Sequence, residues 1–239
     1  MDIRDKNVLV FGSGISGIAA SRLLLREGAD VILYDGNEKL DAETIKENIL
    51  HDEEHGVTLS GDVKVILGEL SKEVMESLVL TVMSPGVPTD LEVVNQMREI
   101  ELAYVYGKGE VLAVTGTNGK TTTTTLLGEI MKKYQEHVYV VGNIGNPYTE
   151  VALDMTEDSV AVAEMSSFQL ETIHTFRPKV SAILNITPDH LNRHHTMEAY
   201  IEAKKNICRN QTADDVCVLN YEDEVTRKFG EEIKAKVLY

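Results

Sequence analysis

Apolar residues in this chain fall into short continuous runs, each closed by glycine or another turn former, and the runs alternate with stretches of helical spacing. Val8-Leu9-Val10-Phe11 and Val31-Ile32-Leu33-Tyr34 read as buried strands on either side of a helix that ends near Arg26. Val63–Leu67 and residues 77–83 follow as strands, the second running into the loop Ser84-Pro85-Gly86-Val87-Pro88, and a helix is expected over residues 91–99. Residues 41–54 mix charges with few apolar positions and read as a solvated helix or loop. After Gly107 and Gly109 the pattern restarts with Val111-Leu112-Ala113-Val114. A helix over residues 121–134 then shows Leu126, Leu127, Ile130 and Met131 as its buried face. Strands follow at 138–141, 159–163, 180–186 and 216–220, with a helix over 197–208. Alternating strands and helices predict an α/β fold, and the restart predicts two domains, 1–105 and 106–239.

Two glycine turns carry candidate chemistry. Gly12-Ser13-Gly14-Ile15-Ser16-Gly17 is a G-x-G-x-x-G turn between strand and helix, and Asp35 closes the next strand 18 residues past Gly17. That is near the spacing at which a carboxylate meets a ribose hydroxyl in Rossmann-like domains, so the first domain is expected to be Rossmann-like. Three readings stay open there: a turn that only lets a helix pack closely on a strand, a dinucleotide site, or a site for another nucleotide-containing ligand.

The second turn, Gly116-Thr117-Asn118-Gly119-Lys120-Thr121-Thr122, again joins a strand to a helix. Its glycines let backbone N–H groups turn toward an anion, Lys120 adds a mobile charge, and the Thr121 hydroxyl suits magnesium. Val114 stands where the common loop has its first glycine, so this is a shorter variant. It predicts a P-loop mononucleotide-binding α/β domain.

Further candidates end the later strands. Glu164, directly after a strand, is the expected magnesium ligand of a phosphate-loop protein, with a helix-cap partner as its alternative. Asn143, in Gly142-Asn143-Ile144-Gly145-Asn146-Pro147, reads on its own as a turn residue. In Thr187-Pro188-Asp189-His190, the histidine can hold a metal or water while Asp189 orients it. Its neighbours His194 and His195 invite a zinc reading, but a phosphate loop calls for a hard cation with oxygen ligands and no cysteine is nearby. Lys204 and Lys205 read as a solvated helix face.

Composition changes this picture little. A length of 239 residues suits two domains with real cores, and a net charge of -16 argues against a nucleic-acid partner. Cys208 and Cys217 have no metal spacing, and the first residues form neither a signal peptide nor a membrane span. A reduced, cytoplasmic protein is expected, monomeric by default.

Four blocks stand in one order: the Gly116–Thr122 turn, Gly142-Asn143-Ile144-Gly145, Glu164-Met165-Ser166-Ser167-Phe168-Gln169-Leu170-Glu171, and Leu184-Asn185-Ile186-Thr187-Pro188-Asp189-His190-Leu191. Together they resemble the Mur ligases of peptidoglycan synthesis, along essentially the whole chain. The third block, joined to the first glycine turn, is similar to the branch that uses UDP-N-acetylmuramoyl-L-alanine, D-glutamate and ATP. The resemblance implies phosphorylation of the alanyl carboxylate, attack of the D-glutamate amine on the acyl phosphate, and release of phosphate. By it, Gly116, Thr117, Asn118, Gly119, Lys120, Thr121 and Thr122 hold ATP. Thr121 and Glu164 hold one magnesium, and His190 with a carbamylated Lys204 a second. Ser13, Gly14, Ile15 and Ser16 lie near the uridine diphosphate and Asp35 near the uracil, while Asn143, Ser166 and Gln169 face the muramoyl end. Gly36 and Asn37 stand where some relatives carry Thr and Arg, and Asn192 where Asp is frequent.

The resemblance also implies a truncated ATP-binding domain and no D-glutamate-binding C-terminal domain. The 239-residue piece is then expected to bind the uridine substrate with little or no turnover. Rival readings are an oxidoreductase using the first glycine turn, a non-catalytic nucleotide-binding module, and another Mur-type amide ligase.

Overall fold

In a computed structural model, residues 3–52, 56–84 and 96–239 are described, and the chain divides into two units, Met1–Ala103 and Tyr104–Tyr239. The first unit begins with β1 (Asn7–Phe11), α1 (Ile15–Arg26), β2 (Asp30–Asp35) and α2 (Ala42–Leu50). A short antiparallel pair, β3 (His51–Asp52) and β4 (Val57–Thr58), precedes β5 (Val63–Leu67), α3 (Lys72–Ser77), β6 (Leu80–Met83), β7 (Gln96–Arg98) and α4 (Glu99–Tyr106). The main strands pair in parallel in the order β5-β2-β1-β6-β7. Val8, Leu9 and Val10 are buried in central β1, as continuous apolar runs in a parallel sheet require. The chain winds outward from β1 on one side and then crosses to β6 on the other, so the end of β1 is the switch point where such sheets bind ligands.

Several boundaries differ from the sequence reading. Residues 41–52, the described part of the 41–54 stretch, are not wholly solvated: Asp41 caps α2 by accepting from Thr44 N–H at 2.8 Å, and the helix buries Ile45 and Ile49. Ser77 closes α3 rather than opening a strand, because its hydroxyl bonds back to the Val74 carbonyl at 2.7 Å and β6 starts only at Leu80. Residues 96–98 are strand β7, paired with β6, and the helix starts at Glu99. The 85–88 loop and the rest of the helix expected over 91–99 lie outside the described residues.

The second unit contains β8 (Glu110–Thr115), α5 (Lys120–Met131), β9 (Val138–Gly142), α6 (Tyr148–Val151), β10 (Val160–Glu164) and α7 (Ser167–Leu170). It continues with β11 (Val180–Ile183), α8 (Leu191–His194), α9 (Met197–Lys205), β12 (Val216–Leu219), α10 (Glu224–Phe229) and β13 (Lys236–Leu238). All its strand pairs are parallel, in the order β13-β12-β11-β8-β10-β9. The phosphate-loop strand β8 is therefore central, flanked by β10 and β11, and the ends of all three point at one edge.

Helix α5 corrects the expected buried face. Leu126 and Ile130 are 59% and 46% exposed, while Thr124 and Gly128 are the buried positions. A Cβ on Gly128 would lie 2.4 Å from Val140 Cγ2, so the helix approaches β9 too closely for a larger residue. Only Leu127 and Met131 of the predicted four pack against the Leu112, Val160 and Val162 cluster.

Candidate functional site

In the first unit the glycine turn is shaped by two of its three glycines. Gly12 has φ 101° and donates its N–H to the Tyr34 carbonyl at 2.8 Å. A Cβ on Gly17 would stand 1.9 Å from the Gly12 carbonyl oxygen, so only glycine lets α1 start this close to β1. A Cβ on Gly14 would meet nothing within 4 Å, leaving open space over the start of α1. Ile15, beside it, is exposed. Ser13 and Asp35, from the ends of adjacent strands, are brought together: Ser13 N–H and Oγ donate to Asp35 Oδ2 at 3.0 and 2.6 Å. Asn37 N–H donates to Asp35 Oδ1 at 3.0 Å. Partial burial pushes the Asp35 carboxyl up, but the bonds from Ser13 and Asn37 outweigh it and hold it below its usual range.

In the second unit, Gly119 has φ 83° and opens α5 with no side-chain cap. The amides of Thr117 and Asn118 are already bonded, to the Asn185 carbonyl and to Asn185 Oδ1, both at 2.9 Å. The free donors run instead from Gly119 through Thr122, whose N–H groups have no protein partner among the described residues. That shifts the anion cradle from the whole loop to its helical end, where the helix dipole is strongest. Lys120 Nζ caps its own loop at the Thr117 carbonyl, 2.9 Å away.

Glu164 ends β10 beside the loop and is 2% exposed. Its two oxygens are separately engaged: Thr121 Oγ1 donates to Oε2 at 2.7 Å and Asn143 Nδ2 to Oε1 at 2.8 Å. Asn143 is therefore more than a turn residue. Gly142 makes this approach possible, since a Cβ there would meet the Glu164 carbonyl oxygen at 2.3 Å. Among the described residues no three His, Cys, Asp or Glu side chains cluster closely enough to cage a metal. A buried carboxylate next to a hydroxyl instead suits magnesium, which takes few protein ligands and fills its shell with waters and phosphate oxygens.

Lys204 is 2% exposed, which overturns the solvated-face reading from composition. Its Nζ donates to the Gly116 carbonyl at 2.7 Å and sits 4.8 Å from the centre of the Tyr200 ring. Burial, reinforced by the nearby Lys120 charge and only partly opposed by Asp189, pulls this amine from 10.5 down to about 7. The lysine thus reaches into the phosphate loop as a largely uncharged amine above neutrality.

His190 is exposed, in a left-handed conformation with φ 52°. Its ring lies 3.5 Å from Asp189 Oδ2 and 5.1 Å from the Phe168 ring, and no direct hydrogen bond joins it to Lys204 among the described residues. Ser166 and Gln169 form a capping box for α7: Gln169 N–H donates to Ser166 Oγ at 3.2 Å and Ser166 N–H to Gln169 Oε1 at 2.9 Å. His194, weighed from the sequence only as part of the disfavoured zinc reading, is buried. Its Nε2 lies 2.9 Å from Ser167 Oγ and its Nδ1 3.3 Å from Glu171 Oε1, and burial, partly opposed by Glu171, lowers its proton affinity.

Fold and site together define a phosphate-loop α/β unit in which a buried carboxylate meets the loop's threonine hydroxyl, preceded by a glycine-turn α/β unit. Residues 114–239 match the Mur ligase middle domain and residues 6–105 the MurD-like N-terminal domain of Mur ligases, and the chain belongs to the Mur ligase family. It is 56% identical over 247 aligned positions to UDP-N-acetylmuramoylalanine--D-glutamate ligase of Lachnoclostridium phytofermentans, covering 100% of this chain and 53% of that protein. The enzyme of the same name from Clostridioides difficile is 47% identical over 248 positions, again with 100% of this chain and 53% of the relative. The chain thus spans about half the length of the curated relatives it matches. In fold it is similar to the UDP-N-acetylmuramate:L-alanyl-gamma-D-glutamyl-meso-diaminopimelate ligase of Neisseria meningitides, with a TM-score of 0.63, 15% identity, and 98% and 77% of the two chains covered.

Proposed function

We propose that the whole protein to which this chain corresponds is an ATP-dependent ligase that joins D-glutamate to UDP-N-acetylmuramoyl-L-alanine through an acyl phosphate. The reading rests on the name shared by its relatives, and the observation that carries it is the Thr121–Glu164–Asn143 cluster beside the free amides of Gly119–Thr122. A carboxylate is a poor acyl donor at neutral pH, so it must be phosphorylated, and transfer between two anions needs alignment and charge cancellation.

Each residue has a part in that reading. The loop from Gly116 to Thr122 holds the ATP phosphates, and Lys120 exchanges the Thr117 carbonyl for the β and γ oxygens. Thr121 and Glu164 hold one magnesium, His190 and Lys204 contribute to a second, and magnesium supplies cancellation of phosphate charge when bound. The neutral Lys204 amine adds to carbon dioxide, forming an N–C bond and releasing a proton, which turns a repelling ammonium into an anionic oxygen ligand. Ser13, Gly14, Ile15, Ser16 and Asp35 receive the uridine diphosphate end. Asn143, Ser166 and Gln169 face the muramoyl end, the latter two by opening their capping box. A cytoplasmic site of action belongs to the same reading; no helix among the described residues is long and apolar enough to cross a membrane. The domains are taken as 1–105 for the uridine substrate and 106–239 for ATP.

Calorimetric titration of the 239-residue chain with UDP-N-acetylmuramoyl-L-alanine, NAD and magnesium-ATP tests the reading. Binding of the first and third is expected. Tight NAD binding in place of the muramoyl nucleotide would return the first unit to the oxidoreductase reading.

A further inference from the structure

Asn185, a polar residue inside the apolar run over 180–186, makes three bonds to the phosphate loop. Its backbone carbonyl accepts from Thr117 N–H at 2.9 Å. Its side chain takes both sides of one peptide: Oδ1 accepts from Asn118 N–H at 2.9 Å, and Nδ2 donates to the Asn118 carbonyl at 3.0 Å. Only a primary amide of this length presents a donor and an acceptor side by side; aspartate accepts only, and alanine does neither.

A second set of bonds continues the connection. Thr117 Oγ1 donates to the Thr187 carbonyl at 3.1 Å and accepts from Thr187 N–H at 3.0 Å, and the Tyr200 hydroxyl lies 3.1 Å from it. The loop after β8 and the segment that leads to Asp189 and His190 are thereby one hydrogen-bonded piece. The same bonds decide which amides remain free, because those of Thr117 and Asn118 are spent on Asn185 and the open ones begin at Gly119.

We propose that Asn185 is a positioning residue of the nucleotide site. It sets the Asn118 peptide so that the amides of Gly119 to Thr122 converge on phosphate, and it makes phosphate binding felt in the segment from 185 to 190. The inference rests on the reading of this loop as the ATP site. Asn185 itself touches no phosphate in this scheme.

The test uses the 239-residue chain with Asn185→Ala, Asn185→Asp and Lys120→Ala. Magnesium-ATP affinity is measured by calorimetry, UDP affinity as a control on the first unit, and amide hydrogen exchange across residues 117–122 and 185–190 with and without nucleotide. Loss of two neutral hydrogen bonds is expected to weaken ATP about tenfold in N185A. N185D, which keeps the shape, turns an acceptor toward the Asn118 carbonyl and adds an anion near phosphate, so its loss is larger, about a hundredfold. UDP affinity stays unchanged in both. In the unaltered chain ATP slows exchange in residues 185–190 as well as 117–122; in N185D the protection of 117–122 is weakened and that of 185–190 disappears. A residue that merely holds the fold would lower the melting temperature without breaking that link.

If the unaltered chain fails to bind ATP, or K120A binds it equally well, the nucleotide reading falls. If the unaltered chain binds, K120A does not, and N185D binds within twofold of the unaltered chain with ATP protection still reaching 185–190, the role given to Asn185 is overturned.

Discussion

Replacing Lys204 by methionine should change the pH dependence of the second unit's stability more than its stability at any one pH. The wild-type amine is 2% exposed and titrates at about 7 rather than 10.5. Between those values the unfolded chain carries a proton on this lysine that the folded chain does not, so wild-type stability rises with pH across the window and is lost as pH falls toward 7. At about 1.4 kcal/mol per pH unit, the full window is worth about 5 kcal/mol. K204M has no such group and should lack the rise. It leaves the Gly116 carbonyl without its partner, which costs about 1–3 kcal/mol at every pH, so the slope, not the offset, carries the information. Urea unfolding of both proteins by far-UV circular dichroism at pH 7.5, 8.5 and 9.5 (about one-unit steps), in metal-free and carbon-dioxide-free buffer, gives it directly. The difference between wild type and variant should move by about 1.4 kcal/mol per step in favour of wild type. Parallel curves would mean that Lys204 titrates as an ordinary lysine, and the account of a neutral, carbon-dioxide-reactive amine would fail with it.

Three other outcomes follow from the geometry. Gly17→Ala should destabilise the first unit by about 3 kcal/mol or more, because its Cβ meets backbone at 1.9 Å, whereas Gly14→Ala should leave thermal unfolding nearly unchanged and weaken UDP binding instead; calorimetry and titration separate the two. Glu164→Gln removes the buried carboxylate beside Thr121, so magnesium should no longer raise ATP affinity, while it does so by about tenfold or more in wild type, as titration with and without the metal would record. Asp35 is held below 3.8 when folded, so its bonds to Ser13 and Asn37 stabilise the first unit above about pH 4 and are lost as pH falls through the folded value. In Asp35→Asn the acid-unfolding curve of that unit should be shallower, with UDP affinity reduced about tenfold.

Much of the second unit was legible because strand, glycine turn and helix follow one another without ambiguity from Val111 to Met131, and Glu164 ends its strand where the pattern of apolar residues stops. Helix α5 shows the limit of periodicity. Apolar spacing pointed to Leu126 and Ile130, but close approach to β9 required the small side of the helix, Thr124 and Gly128, to face inward. The burial of Lys204 was hidden for the opposite reason. A lysine on a helix is ordinarily solvated, and only its contact with the Gly116 carbonyl, 88 positions away, takes it inside. Asn185 was visible as a polar residue in an apolar run, a mild anomaly. Its amide partners could be identified only once β8 and β11 were seen side by side. In the first unit the 77–83 run was misjudged because an apolar stretch does not say where a helix ends, and the Ser77 hydroxyl bonding back into α3 settles that locally.

The parallel order of the second sheet also bears on the protein's synthesis. Central β8 has no sequence-adjacent partner: Val114 pairs with Glu164 on one side and Ala182 on the other, and the amide that grips Asn118 arrives 67 residues after it. At roughly 5–20 residues per second on the ribosome, the glycine loop waits about 3–13 seconds for that grip. On the proposed reading, a nascent chain holds during that interval the residues of a nucleotide site without its shape. On the same reading, ATP adds most of its stabilisation to this unit after residue 185 has been made, late in its folding rather than as a template for it.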